Sequence, residues 1–147
     1  MTKWSGWAAR GCPRTRTDPS VTAEVAPVDA FDLPEWLGTS DVTWTALTSI
    51  RGAPRVEGVL GAGQELLPCD LLAADVAYPE PPLADHWRRL AHQAWEYDQV
   101  LLVSYDGRLT LAVPGTAYSA DGALESVGRL AKAVGVPPSR FTVCLRL

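Results

Sequence analysis

Val42, Trp44, Ala46, Thr48 and Ile50 occupy one parity of a run whose other parity is mostly Thr and Ser. That period of two marks a half-buried strand. Gly52-Ala53-Pro54 turns the chain, residues 56–60 read as a shorter edge strand, and residues 69–78 as a more uniformly apolar strand ended by the prolines at 79, 81 and 82. From about residue 83 to residue 97 the period changes. Projected at about 100° per residue, Leu83, Ala84, Leu90, Ala91, Ala94, Trp95 and Tyr97 gather within roughly 80° of Trp87, while charged and amide side chains fill the opposite arc. A helix with one buried face is expected there.

Asp106-Gly107 sits between two apolar runs, residues 100–105 and 108–113. The pair predicts a type I′ hairpin, because that turn needs positive φ at both central residues. With a two-residue loop, Val100, Leu102 and Ser104 share a face with Leu109, Leu111 and Val113. Ser119 or Asp121 then caps a second helix with a narrow stripe of Ala123, Leu124, Val127, Leu130, Ala131 and Val134. Gly135 stops it, Pro137-Pro138 prevents continuation, and Phe141, Val143, Leu145 and Leu147 alternate in a last strand. A short helical turn at residues 34–37, where Asp32 can cap, precedes the first strand.

Two one-faced helices need one sheet face to cover. The expected fold is therefore α+β, a two-layer sandwich of a mostly antiparallel sheet of five to six strands with two amphipathic helices on one face. Its C-terminal βαββαβ order is ferredoxin-like. With the initial turn and first hairpin added, the order of elements over residues 31–134 resembles, in topology alone, the type III secretion chaperone-like family. The main hairpin's other face, with Leu101, Val103 and Tyr105 beside Arg108, Thr110 and Ala112, is too apolar for open surface and too polar for a full core. An N-terminal segment, a second copy or a client is expected to cover it.

Composition limits the rest. A chain of 147 residues, 47% apolar and 20% charged, supports one soluble domain with a real core. No apolar run approaches the length of about 18 residues that a membrane span needs, and no h-region follows Lys3 and Arg10. A cytoplasmic protein is expected. Eleven Arg against two Lys, with no Asn and a single Ile, is the drift of a GC-rich bacterial genome. Residues 1–30 lack hydrophobic period and read as a disordered arm, with the α+β domain at 31–147. The formal charge of −4 lies mainly on the folded part, which disfavours nucleic acid.

Catalytic chemistry is hard to find. Cys12, Cys69 and Cys144 are odd in number and far apart, so neither a disulfide framework nor a zinc site is expected. His86 and His92 project about 120° apart on the polar side of their helix and cannot easily share a metal. Asp70 and Asp75 point to opposite sheet faces, which rules out a carboxylate pair. The glycines at 58, 61 and 63 have the wrong spacing for a dinucleotide cradle. No catalytic, cofactor or metal residue is assigned and no cofactor is expected. Six tryptophans remain. Trp44, Trp87 and Trp95 read as core, whereas Trp4, Trp7 and Trp36 join Leu101, Val103 and Tyr105 as candidate partner contacts. The expected function is a small non-catalytic protein-binding module, an adaptor, chaperone-like holder or regulator, that can also form a homodimer. A small-ligand sensor with a pocket between helices and sheet is the alternative, and an enzyme built on Asp75, His86 or Cys69 comes third.

Overall fold

The turn that the sequence announces most clearly forms as expected: Asp106 and Gly107 both take positive φ, 58° and 76°. The computed structural model describes residues 24–51, 53–75, 81–115 and 118–147. In chain order its elements are β1 (Val25–Pro27), α1 (Trp36–Thr39), β2 (Val42–Ala46), β3 (Arg55–Val56), β4 (Gly58–Ala62), β5 (Glu65–Ala73), α2 (Asp85–Glu96), β6 (Leu101–Tyr105), β7 (Arg108–Val113), α3 (Ala120–Ala133) and β8 (Phe141–Cys144). Short 3-10 turns lie at Ala30–Asp32 and Pro138–Arg140. No helix among the described residues is long and apolar enough to cross a membrane.

The fold is α+β, and the described residues form one open, mixed sheet of eight strands in the order β1-β6-β7-β5-β4-β2-β8, with β3 also pairing β5. Two pairings are parallel, β5 with β7 and β2 with β8. Several expectations change accordingly. The sheet is larger than five to six strands, because residues 25–27, expected within the arm, form an edge strand that pairs with β6 through Val25↔Tyr105, and the one strand expected at 56–60 enters as two, β3 and β4. Residues 56–60, expected as an edge, are interior, flanked by β2 and β5. Among the described residues the outermost strands are β1 and β8. Trp4 and Trp7 lie outside the described residues, as does Tyr78.

The largest correction concerns the helices, which cover opposite faces rather than one. Cys69, Leu71 and Ala73 of β5 join Leu109, Leu111 and Val113 of β7 in a cluster completed by Ala123, Val127 and Leu130 of α3. Leu72, Val103 and Ala112 point the other way and pack with Leu83 and with Ala91 of α2. These two sides are called the α3 face and the α2 face below. A helical stripe states that one flank is covered but not which face of the sheet covers it. The expected ferredoxin-like packing is therefore not realised, although the βαββαβ order is.

Local chemistry explains where the helices stop. Ser119 Oγ accepts from the Gly122 N–H at 3.1 Å, capping α3. At its other end Gly135 takes φ 80°, and the N–H groups of Gly135 and Val136 donate to the carbonyls of Lys132 and Ala131. That is a Schellman closure. The end of α2 repeats it with Asp98 at φ 63°, an uncommon position for a non-glycine residue. Arg129 of α3 stacks 3.4 Å over the Trp95 ring, donates to the Trp95 carbonyl and pairs with Asp98, tying the two helices together across the end of the sheet.

In the sheet interior, β3 and β4 form one line against β5 with an unbroken register, Val56↔Leu71 on one side and Val59↔Pro68 on the other. Between them Glu57 and Gly58 stand opposite Asp70 and Cys69 without ladder pairing. Trp44, fully buried, fills the break. Its Nε1–H donates to the Cys69 carbonyl at 2.9 Å and its ring lies against Gly58, where a Cβ would come within 2.5 Å. Gly58→Ala is expected to destabilise the fold by about 1–3 kcal/mol through this overpacking, read as a lower urea midpoint at unchanged m-value.

Burial also pushes the Cys69 thiol far above its ordinary range, with the Asp70 charge adding to the shift. The neutral thiol contributes stability fully below the unfolded pKa, near 8.5, and loses it as pH rises, because only the unfolded chain ionises there. Above about pH 9 the wild-type chain should lose up to about 1.4 kcal/mol per pH unit more than Cys69→Ala. Denaturation midpoints across pH 8–11 measure the difference in slope.

Candidate binding face

Asp70 is the charge that the apolar pattern of β5 conceals. It is completely buried and sits on the α2 face, between Leu72 above and Pro68 below. Arg108 grips it with a fork, Nε to Oδ2 and Nη2 to Oδ1, both at 2.9 Å. Arg55 donates from Nε at 3.2 Å and Nη2 at 2.9 Å to Oδ2, and the Gly58 N–H donates to Oδ1 at 3.2 Å. The carboxylate is thus saturated by charge-assisted bonds, the condition for tolerating a buried charge. Arg55 also lies 5.4 Å over the Tyr105 ring and pairs with Asp106 at 3.4 Å, while Arg108 reaches the Gly58 carbonyl at 3.3 Å.

Each arginine responds to the site. Burial pulls the Arg55 guanidinium down, but Asp70 and Asp106 more than restore it and leave it above the ordinary arginine value. Hydrogen bonding to Asp70 raises Arg108 against the opposing effect of burial. Both are permanent cations that hold the cluster together. Its work is to close the ladder break and to bound a surface.

That surface is the half of the α2 face that no helix covers. One cross-strand row runs Pro68, Val59, Thr45, Cys144 over β5, β4, β2 and β8. A second runs Leu66, Gly61, Thr43, Thr142 over the same strands. Neither cluster includes Val59, Leu66, Pro68 or Cys144, and Pro68, Val59, Thr45, Gly61 and Thr43 are half-buried. Leu66 is 71% exposed, and Thr142 and Cys144 are exposed too. No charged side chain stands in either row, and apolar or β-branched residues dominate both.

The candidate partner contacts separate. Val103 is fully buried and Leu101 and Tyr105 are partly buried, because α2 and β1 supply the cover expected from an arm, a second copy or a client. Val103 has no surface to offer. Trp36 is half-buried against the larger cluster, with its flank facing the core. Trp44 is core; Trp87 packs on the α2 side, and Trp95 reaches the α3-side cluster. The uncovered rows were only partly visible in the sequence: Cys144 on the weaker parity of its strand was a signal, but Val59, Leu66 and Pro68 needed the strand order.

The residues considered for catalysis sit in separate surroundings. Cys69 is buried within the core. Asp75 follows the end of β5 and pairs with Arg88 at 3.3 Å and with His92 Nε2, anchoring α2 to the strand end. His86 lies beside the Trp87 ring, exposed, with its centroid 4.9 Å away. Among the described residues no group of three His, Cys, Asp or Glu side chains is placed to hold a metal. The glycine run at 58–63 is β4 and its turn, with Gly63 at φ 63°.

Removing the acceptor at the centre tests the cluster. Asp70→Ala leaves two guanidinium groups and the Gly58 N–H facing a buried void, and is expected to cost about 3–5 kcal/mol. Chemical denaturation reads the loss, and Asp70→Asn, which keeps one acceptor oxygen, should fall between.

Compared with known proteins, the chain matches no family model, no curated protein and no solved structure.

Proposed function

We propose that this protein is a small, non-catalytic, cytoplasmic binding module that holds a partner protein against the uncovered half of its α2 face. The observation that carries the reading is the pair of cross-strand rows, where Val59, Leu66 and Pro68 lie among threonines with no charged side chain in either row. Solvent-facing antiparallel strands ordinarily alternate core residues with charged or strongly polar ones. Here the outward positions have the character of an interface centre, depleted of charge and rimmed by Arg55, Arg108 and Glu57.

The rim favours a protein over nucleic acid. The described segments together with the residues between them carry nine basic and sixteen acidic side chains, a formal −7, which repels a phosphate backbone. Arg55 and Arg108 do not offset this, since both spend their donors on Asp70. A holder or adaptor fits this surface better than a catalyst, because its flat sheet places no nucleophile beside a base.

The test is gentle purification of tagged protein from its own host, in parallel with Leu66→Glu and Val59→Glu. Wild type should retain a stoichiometric protein partner, and each charge placed in the rows should reduce recovery by about tenfold or more, the effect of a desolvated charge at an interface centre. Thermal melts of the variants confirm folding, since both side chains lie outside the core. Equal recovery by wild type and variants, or no stoichiometric partner at all, would refute the reading.

A further inference from the structure

We infer that residues 1–23 of the chain itself dock across the uncovered half of the α2 face, so that a partner must displace this segment to bind. The inference rests on the reading of that half-face as a binding surface, and adds its regulation. The first support is where the segment joins the body. The Asp106 N–H donates to the Glu24 carbonyl at 3.3 Å, and Val25 pairs with Tyr105 at the lower end of β1. Tyr105 pairs in turn with Arg108, the residue before Leu109, whose partner Cys69 follows Pro68 along β5. From Pro68 the row continues through Val59 and Thr45 to Cys144. The described chain therefore begins at one end of the very row that lies open at its other end.

Reach and chemistry agree with that path. Six strand spacings of about 4.8 Å separate β1 from β8, roughly 29 Å. The twelve residues from Cys12 to Glu24 span up to about 40 Å when extended. The segment holds Lys3, Arg10, Arg14 and Arg16 against Asp18, a formal +3, and faces a body of −7. Opposite net charges on two parts of one chain draw them together at low salt. Trp4 and Trp7 supply large apolar rings in a stretch that offers no core of its own, and the rows supply Val59, Pro68 and Leu66. Attachment to the body sets the segment's effective concentration near the millimolar range, so a weak intrinsic contact suffices to fill the face.

Two native thiols make the test direct. Cys144 is exposed in the row, Cys12 lies in the segment, and buried Cys69 stays out of reach. Full-length protein at low micromolar concentration is oxidised with copper phenanthroline, which accepts the two electrons as the two thiols release their protons and form one S–S bond. Docking predicts a monomeric Cys12–Cys144 disulfide, absent in Cys12→Ser and in Cys144→Ser. It should form at least about tenfold faster in wild type than in Leu66→Lys or Val59→Lys, whose added charge opposes both the apolar contact and the basic segment, the advantage of docking over a free tether. High salt should narrow that ratio. Equal rates in wild type and face variants would overturn the inference, as would disulfide-linked dimers alone, which would assign the face to a second copy. Because no partner is present, this result is independent of whether a client is recovered in the purification.

Discussion

A sheet interior has no water, so every backbone group left out of the ladder must find another partner. The break between β4 and β5 is the place where this protein meets that demand, and much of the structure follows from it. The Cys69 carbonyl takes the Trp44 indole N–H, the Gly58 N–H takes Asp70 Oδ1, and the Gly58 carbonyl takes Arg108. Glu57, meanwhile, donates to the Thr48 hydroxyl at 3.0 Å, and its carbonyl receives Leu47 N–H at 2.7 Å. Three side chains from separate parts of the chain thus replace two ladder bonds. Each is locked by the others, since the indole needs the absence of a Cβ at Gly58 and the carboxylate needs both arginines.

The same cluster partitions the α2 face. Above it, Leu72, Val103 and Ala112 are apolar and small enough for α2 to lie on them, with Ala91 at the contact. Below it, strands β4, β2 and β8 continue sideways beyond the reach of a helix of twelve residues. α2 is about 18 Å long, and Asp75 and Trp95 hold its two flanks near the upper end of the sheet. The uncovered rows are therefore a geometric consequence of where α2 is anchored. They are kept off the core by the polar boundary of Arg55, Asp70 and Arg108, which a covering helix could not cross without desolvating two cations.

What the sequence revealed and concealed divides along the same physical line. Turn and cap chemistry is local, so Asp106-Gly107, Ser119 and Gly135 announced their elements correctly. Periodicity is also local, and the stripes on α2 and α3 were visible, although Leu90 and Tyr97 of the first stripe remain 40% and 72% exposed because α2 covers only half a face. Pairing between distant strands leaves no such mark. Nothing in residues 141–147 states that β8 lies parallel to β2 at the far edge, and an apolar run around Asp70 reads as an ordinary buried strand with one irregular position. The signal was present but non-local: a carboxylate inside an apolar run, an arginine immediately after the hairpin turn, and another at the start of a short strand.

The proposed binding by face rather than by edge agrees with how the sheet ends. β1 spans three residues and finishes at Pro27, which has no N–H to donate, while β8 spans four residues after Pro137 and Pro138. Short, proline-bounded edges are poor templates for adding a strand. The flat face has the opposite character. Of its outward residues, Val59, Gly61, Thr43 and Thr45 are held at strand spacing by pairing on both sides, so little further order is lost when they are covered. An apolar surface that is already rigid binds at a lower entropic cost than a loop that must first be ordered. The outward rows border the Asp70 cluster, so on the proposed reading a core-stabilising ion network is also the element that marks where a partner, or the chain's own first residues, would sit.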